Sequence, residues 1–145
     1  MTGMSRKQGV LVVLVVGMVL GWMVLQTGRG PFDGSRVRDS ADCGQFLLEL
    51  GWETDLSRAE SKETVLPEEF NDVYGRYNDL QKQQGCDLYP YRGKVVTVYT
   101  LPVVGYEAQG TVYATVLVHE GKVIGGDVHS GELGGWMGSL IRNEP

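Results

Sequence analysis

The spacing of hydrophobic positions changes character along the chain. Residues 9–25 read GVLVVLVVGMVLGWMVL, and no charge interrupts the run from Gln8 to Gly28, 21 residues. As a helix this run is about 31 Å long, close to the roughly 30 Å of hydrocarbon in a bilayer. Arg6 and Lys7 precede it, and Trp22 lies near its far end, where interfacial aromatics are common. A cleaved signal peptide has a shorter apolar core and a small-residue cleavage site. This segment has no alanine, and Pro31 follows Gly28-Arg29-Gly30 directly. The expectation is a retained anchor, with residues 1–7 in the cytoplasm, 8–28 in the membrane, 29–38 as a Gly-, Ser- and charge-rich linker, and 39–145 outside as one domain.

Within residues 39–145 the period becomes helical, then alternating. Cys43, Phe46, Leu47 and Leu50 follow Ser40 at i, i+3, i+4 and i+7, which predicts a helix capped by Ser40 and stopped at Gly51. WETDL (52–56) and KETVLP (62–67) are short extended pieces that suit a hairpin. From Pro67 a second helix is expected, with Phe70, Val73, Tyr74, Tyr77 and Leu80 on one face and Gly85 at its end. Gly75 inside that helix suggests close packing. Beyond the loop CDLYPYRG, the pieces KVVTVYTL, TVYATVLVH and KVIGGDVH are β-branched and aromatic, as strands prefer. His119-Glu120-Gly121-Lys122 between the last two is a tight hairpin turn. The tail admits a short helix, with Leu133, Trp136, Met137 and Leu140 at helical spacing. The predicted class is α+β: a single N-terminal transmembrane helix, then a two-layer domain of two helices packed on an antiparallel sheet.

Composition narrows the function classes. The 145 residues carry a net charge of −5, and residues 30–145 hold all 18 acidic side chains against ten basic ones. A nucleic-acid surface needs clustered Lys and Arg and is not expected. Cys43 and Cys86 both lie in the exported part, where an even count permits a disulfide; no C-x-x-C is present. Gly17 and Gly21 form a G-x-x-x-G in the membrane segment, a weak signal for helix pairing.

The stretch GGDVHSG (125–131) raises the question of chemistry. A two-residue turn at Glu120-Gly121 places His119 and His129 roughly 23 Å apart along the strand, too far to share an ion. Asp127 and His129, at i and i+2, share a strand face and can touch. A zinc site needs three or four ligands, and no third is marked out. Ser130 lacks the G-x-S-x-G elbow, and Gly125-Gly126 lacks the context of a phosphate loop. Glycines inside a strand more often mark a bulge or a close backbone approach. In the second helix, Tyr74, Tyr77, Asn78, Gln81 and Gln84 line a groove, or else Asn78 and Gln81 hydrogen-bond to the CDLYPYRG loop and hold it on the helix. No catalytic residue, metal set or cofactor is assigned.

FLLELGW at 46–52, Pro67, YNDLQKQQG at 77–85 with Asp87-Leu88, Tyr91 with Gly93-Lys94, and VIGGDVHSGELGGWM at 123–137 form a set. On these residues the chain resembles the bacterial domain-of-unknown-function 4830 family. The resemblance implies a short protein, often with one N-terminal membrane segment, and brings no catalytic residue with it.

The expected function is a single-pass, membrane-anchored extracytoplasmic binding module. Its partner would be an envelope protein, a peptide or cell-wall material. The expected contacts are Tyr89, Tyr91 and Arg92 in the loop, and Asp127 and His129 at the strand end. Two alternatives stand beside it. One is a metal-assisted or acid–base hydrolase at the envelope, centred on Asp127 and His129. The other is a structural accessory subunit that assembles through its membrane helix.

Overall fold

The computed structural model of the protein describes residues 31–107 and 110–142. The chain divides into two units at Gly30/Pro31, and the described residues all belong to the second. The expected anchor at 8–28 and cytoplasmic segment at 1–7 lie outside the described residues. Among the described residues no helix is long and apolar enough to cross a membrane.

The second unit is α+β: two helices on a five-stranded antiparallel sheet. Helix α1 spans Ser40–Glu49 and helix α2 Asp72–Gln83. The strands are β1 Glu60–Val65, β2 Val95–Pro102, β3 Val112–His119, β4 Lys122–Ser130 and β5 Met137–Gly138. They lie side by side in chain order.

Residues 31–38, expected as linker, belong to this unit. Phe32 and Val37 are buried in the core, Val37 N–H donates to Gly121 O (2.9 Å), and Ser35 O accepts from Val123 N–H (3.3 Å). The two apolar residues of that stretch outweigh its Gly and Ser content. α1 forms as its period predicts, burying Cys43, Phe46 and Leu47. Its cap is Asp39 rather than Ser40, accepting the Asp42 N–H at 2.8 Å. WETDL and KETVLP do not form a hairpin. Thr54 bridges to Val103, Leu56–Arg58 makes a 3-10 turn, and β1 pairs instead with β2, Glu60 opposite Thr100. The tail is not helical. Met137-Gly138 adds the short edge strand β5, and Leu133 is fully exposed.

The β3–β4 connection is the expected two-residue turn. His119 pairs with Lys122, and Glu120 and Gly121 both take positive φ (49° and 76°), as this hairpin type requires. One residue further from the turn than Val123, the ladder slips. Val118 pairs with Val123 but Leu117 with Gly125, so Ile124 is a bulge.

The helices lie on opposite faces, so the domain has three layers and not the expected two. On one face Val112, Ala114, Val116 and Val118 of β3 pack with Cys43, Phe46 and Leu47 of α1 and with Trp52, whose Nε1–H donates to Leu140 O (2.7 Å). On the other, Leu117 packs with Leu66, Leu88, Val96 and Ile124 against Phe70, Tyr74 and Tyr77. β3 buries six of the seven positions from Val112 to Val118, a near-continuous apolar run of the kind that marks a strand covered on both sides.

α2 keeps part of its expected face, Phe70, Tyr74 and Tyr77 packing on the sheet, but Val73 is turned away. Asn71 caps it by accepting the Tyr74 N–H (3.0 Å), four residues later than Pro67 suggested. Val73 is 67% exposed, and the buried residues are Asn78 and Gln81. Asn78 holds the following loop, accepting the Leu88 N–H (2.7 Å) and donating to Asp87 (2.9 Å). Gln81 and Gln84 hold β4. Gln81 makes a two-bond pair with the Gly126 backbone, N–H to Oε1 at 2.9 Å and Nε2 to O at 3.0 Å. Gln84 donates to Gly126 O (2.8 Å) and accepts the Leu140 N–H (2.9 Å). These amides replace strand partners along an edge that β5 is too short to cover. Gly75 faces open space, not a close neighbour. Gly75→Ala should therefore stabilise the domain by about 0.5–1 kcal/mol through helix propensity alone, measured as a rise in the urea midpoint; a fall would mean that α2 is packed on that side.

Candidate functional site

The face of the sheet that carries α2 is only partly covered by it. Strand register lays out what remains. Glu60, Thr100, Thr115 and Asp127 stand opposite one another across β1 to β4. On one side of this polar row come Pro102, Tyr113 and His129; on the other, Lys62, Val98, Leu117 and Gly125. Two concavities follow these rows. A trough of about 640 Å³ lies over Thr100, Pro102, Tyr113 and His129, walled by Ser57–Glu60. A more apolar groove of about 410 Å³ lies over Val96, Val98, Thr115 and Leu117, walled by Val73, Tyr74 and Tyr77. They meet where Thr100 faces Thr115.

His129, on the floor of the trough, ends a hydrogen-bonded chain that runs back into the domain. Asp127 is 2% exposed. Its Oδ2 accepts the Tyr77 hydroxyl at 2.6 Å and its Oδ1 meets His129 Nδ1 at 2.7 Å. A carboxylate only accepts, so Nδ1 carries the proton. The ring is stacked on Tyr113, centroids 5.8 Å apart and planes 28° apart. The hydrogen bond to Asp127 raises the His129 pKa above its ordinary 6.5, against the opposing effect of burial. Burial, then the Asp127 charge, raises that of Tyr77, which stays a phenol and a donor. The placement of Tyr77 follows from α2. Gln81 lies one turn further along the same stripe. With its amide locked on Gly126, Tyr77 is carried to the next residue of β4, Asp127.

The expected site residues divide into two groups. Asp127 and His129 touch, as their spacing allowed. Tyr89, Tyr91 and Arg92 do not join them. The Arg92 guanidinium lies 3.7 Å from the Tyr89 ring centre and its Nε–H donates to Tyr89 O (2.9 Å). Tyr91 packs edge-on to His119 at 5.3 Å, beside the β3–β4 turn, whereas His129 is at the far end of β4. Cys43 and Cys86 are free thiols. Burial pushes Cys43 up to about 12 and Cys86, helped by the charge of Asp33, up to about 11, so neither is a ready nucleophile. Among the described residues no group of three His, Cys, Asp or Glu could hold a metal ion.

The sequence model of the family described as Domain of unknown function (DUF4830) matches residues 46–128, more than half of the chain. The chain belongs to the DUF4830 family. No curated protein and no solved structure matches it significantly. The matched DUF4830 region runs from Phe46 in α1 to Val128 in β4. It contains all of α2 and the last turn of α1, the Gln81–Gly126 pair and the Tyr77–Asp127 bond. His129, Ser130 and Gly131 of the trough fall just past its end. Ser57, Arg58, Thr100 and Tyr113 were not marked by any motif. Tyr113 had a detectable signal: counted back from the β3–β4 turn, one bulged residue, Ile124, sets it opposite His129.

Proposed function

We propose that this DUF4830 protein is a membrane-tethered recognition module. Residues 8–28 would hold it to the cytoplasmic membrane with its N-terminus inside and the domain outside. The trough on the α2 face of the sheet would be its binding surface. One observation carries the reading: an open concavity of about 640 Å³ whose floor bears an oriented, part-exposed imidazole stacked on a tyrosine. Convergent polar groups in a concave surface are the usual mark of a binding site. Tyr89, Tyr91 and Arg92, occupied with one another and with His119, are not part of this surface.

The test is photo-crosslinking from Thr100 in the full chain in its native membrane, with Asp79 on the outer side of α2 as control. The expected result is a discrete product from Thr100 only, unchanged when residues 9–25 are replaced by an unrelated membrane helix. Equal products from both positions, or loss with the replaced helix, would shift the interaction to another surface or to the membrane segment.

The Asp127–His129 bond also favours a second reading, acid–base hydrolysis. A buried carboxylate orienting an imidazole is the base-and-orienter half of a hydrolytic site. That reading requires His129→Ala to abolish turnover of whatever the trough holds while binding persists.

A further inference from the structure

Binding of any ligand in the trough needs groups not already committed to the protein. Among the described residues five side-chain polar groups there make no hydrogen bond within the chain. These are the Arg58 guanidinium, the Thr100 and Tyr113 hydroxyls, the Glu60 carboxylate and Nε2 of His129, the nitrogen left after Nδ1 is fixed on Asp127. Arg58 and a protonated His129 only donate. Two carboxylates oppose them: Glu60 on the trough wall, and beside Arg58 Asp55, held low by its Ser57 hydrogen bonds and by the Arg58 charge; Asp127 is engaged by Tyr77 and His129. A surface so provided suits an anion, on a chain whose exported part is otherwise acidic.

The adjoining groove adds the shape. From Val96 to Pro102 the two concavities run along β2 over seven residues, roughly 20 Å. Their rows repeat every second residue: Val96, Val98, Thr100, Pro102. An extended chain laid along the strands has the same repeat. Val98, Leu117 and Tyr74 would receive apolar side chains, and the threonine row amide groups. A simple alkyl chain would leave that row without partners.

We propose that the polar end of the trough binds the free carboxylate of an extended peptide, with Arg58 and the His129 ring as its donors. This rests on the trough being the binding surface. A peptide carboxylate, with an ordinary pKa near about 3.5, stays charged from pH 5.5 to 8.5. Over that range the response to pH then comes from His129. The groups facing it are Asp127 beneath, Tyr77 from α2 through Asp127, Tyr113 from β3, Glu60 from β1 and Arg58 from the 3-10 turn; Met137, its partner in β5, brings no charge.

The experiment uses full-length protein in lipid nanodiscs and two fluorescent random-hexapeptide libraries, one with free C-terminal carboxylates and one amidated. The acid library should be retained roughly tenfold better at pH 5.5, the step expected of one charge-assisted contact, and the advantage should shrink at pH 8.5. Arg58→Gln, an exposed change that leaves the core intact, should reduce the advantage at pH 5.5 and abolish it at pH 8.5. His129→Gln should remove its pH dependence, and Glu60→Gln should enlarge it. Equal retention of the two libraries, retention of neither, or an advantage that falls in Glu60→Gln would overturn the proposal. Equal retention that is competed by a bulky group at Thr100 would leave the trough as the binding surface and remove only the carboxylate. Decanoate displacing the peptides would assign the site to a fatty acid instead.

Discussion

Gly126→Ala should lower the unfolding free energy by about 3 kcal/mol, at the upper end of what overpacking a tight interior costs. A Cβ at this position would run into the Thr115 carbonyl of the neighbouring strand and come within 2.5 Å of Leu140 Cδ1. Leu140 can rotate, but the Thr115 carbonyl is backbone within the β3–β4 ladder and cannot yield without opening it. Any shift of β4 also disturbs the amide pair that Gln81 makes with Gly126. The loss should appear as a lower urea midpoint with unchanged slope. Gln81→Leu provides the complementary measurement. It keeps the volume but leaves the buried Gly126 N–H without its acceptor, a penalty of about 1–3 kcal/mol. A Gly126→Ala midpoint within error of wild type would mean that β4 has room the close approach of Thr115 denies.

This position shows how far the sequence could be read. GG inside a strand pattern announced a bulge or a close backbone approach, and both occur, the bulge at Ile124 and the approach at Gly126. The β3–β4 turn, the three long strands and α1 follow from period and turn chemistry, because each depends on residues close in sequence. Strand type alone leaves the layer count of TVYATVLVH open; its nearly unbroken apolar character indicates two covered faces. The buried face of α2 escapes the pattern for a different reason. Hydrophobic periodicity treats glutamine as surface, so it chose Val73 and Leu80 over Asn78 and Gln81. What buries an amide here is an unpaired strand edge, and that depends on β5 being only two residues long. The trough wall was equally hidden. Arg58 and Glu60 reach it because β1 pairs with β2 across the whole of α2, a long-range pairing with no local signature.

The Asp127–His129 contact was legible from i, i+2 spacing, and it supports the second large expectation. Asp127→Ala should destabilise the domain by about 3 kcal/mol, in the range for removing one partner from a buried polar pair. The Tyr77 hydroxyl, itself largely enclosed, and the His129 Nδ1–H would both lose their acceptor. Asp127→Asn separates charge from packing, since the amide fills the same space and still offers one acceptor. Its penalty should depend on pH in a definite sense. The pKa of His129 is raised in the folded state, so the pairing contributes its full stability below the unfolded value near 6.5 and loses it as pH climbs through the folded value. The gap in urea midpoint between wild type and Asp127→Asn should accordingly be widest at about pH 5.5 and narrow above neutrality, and His129→Gln should flatten it. A gap that stays constant, or widens with pH, would mean that the imidazole is held neutral. Arg58 would then be the trough's one charged donor, and the expected weakening of peptide retention at pH 8.5 would disappear with it.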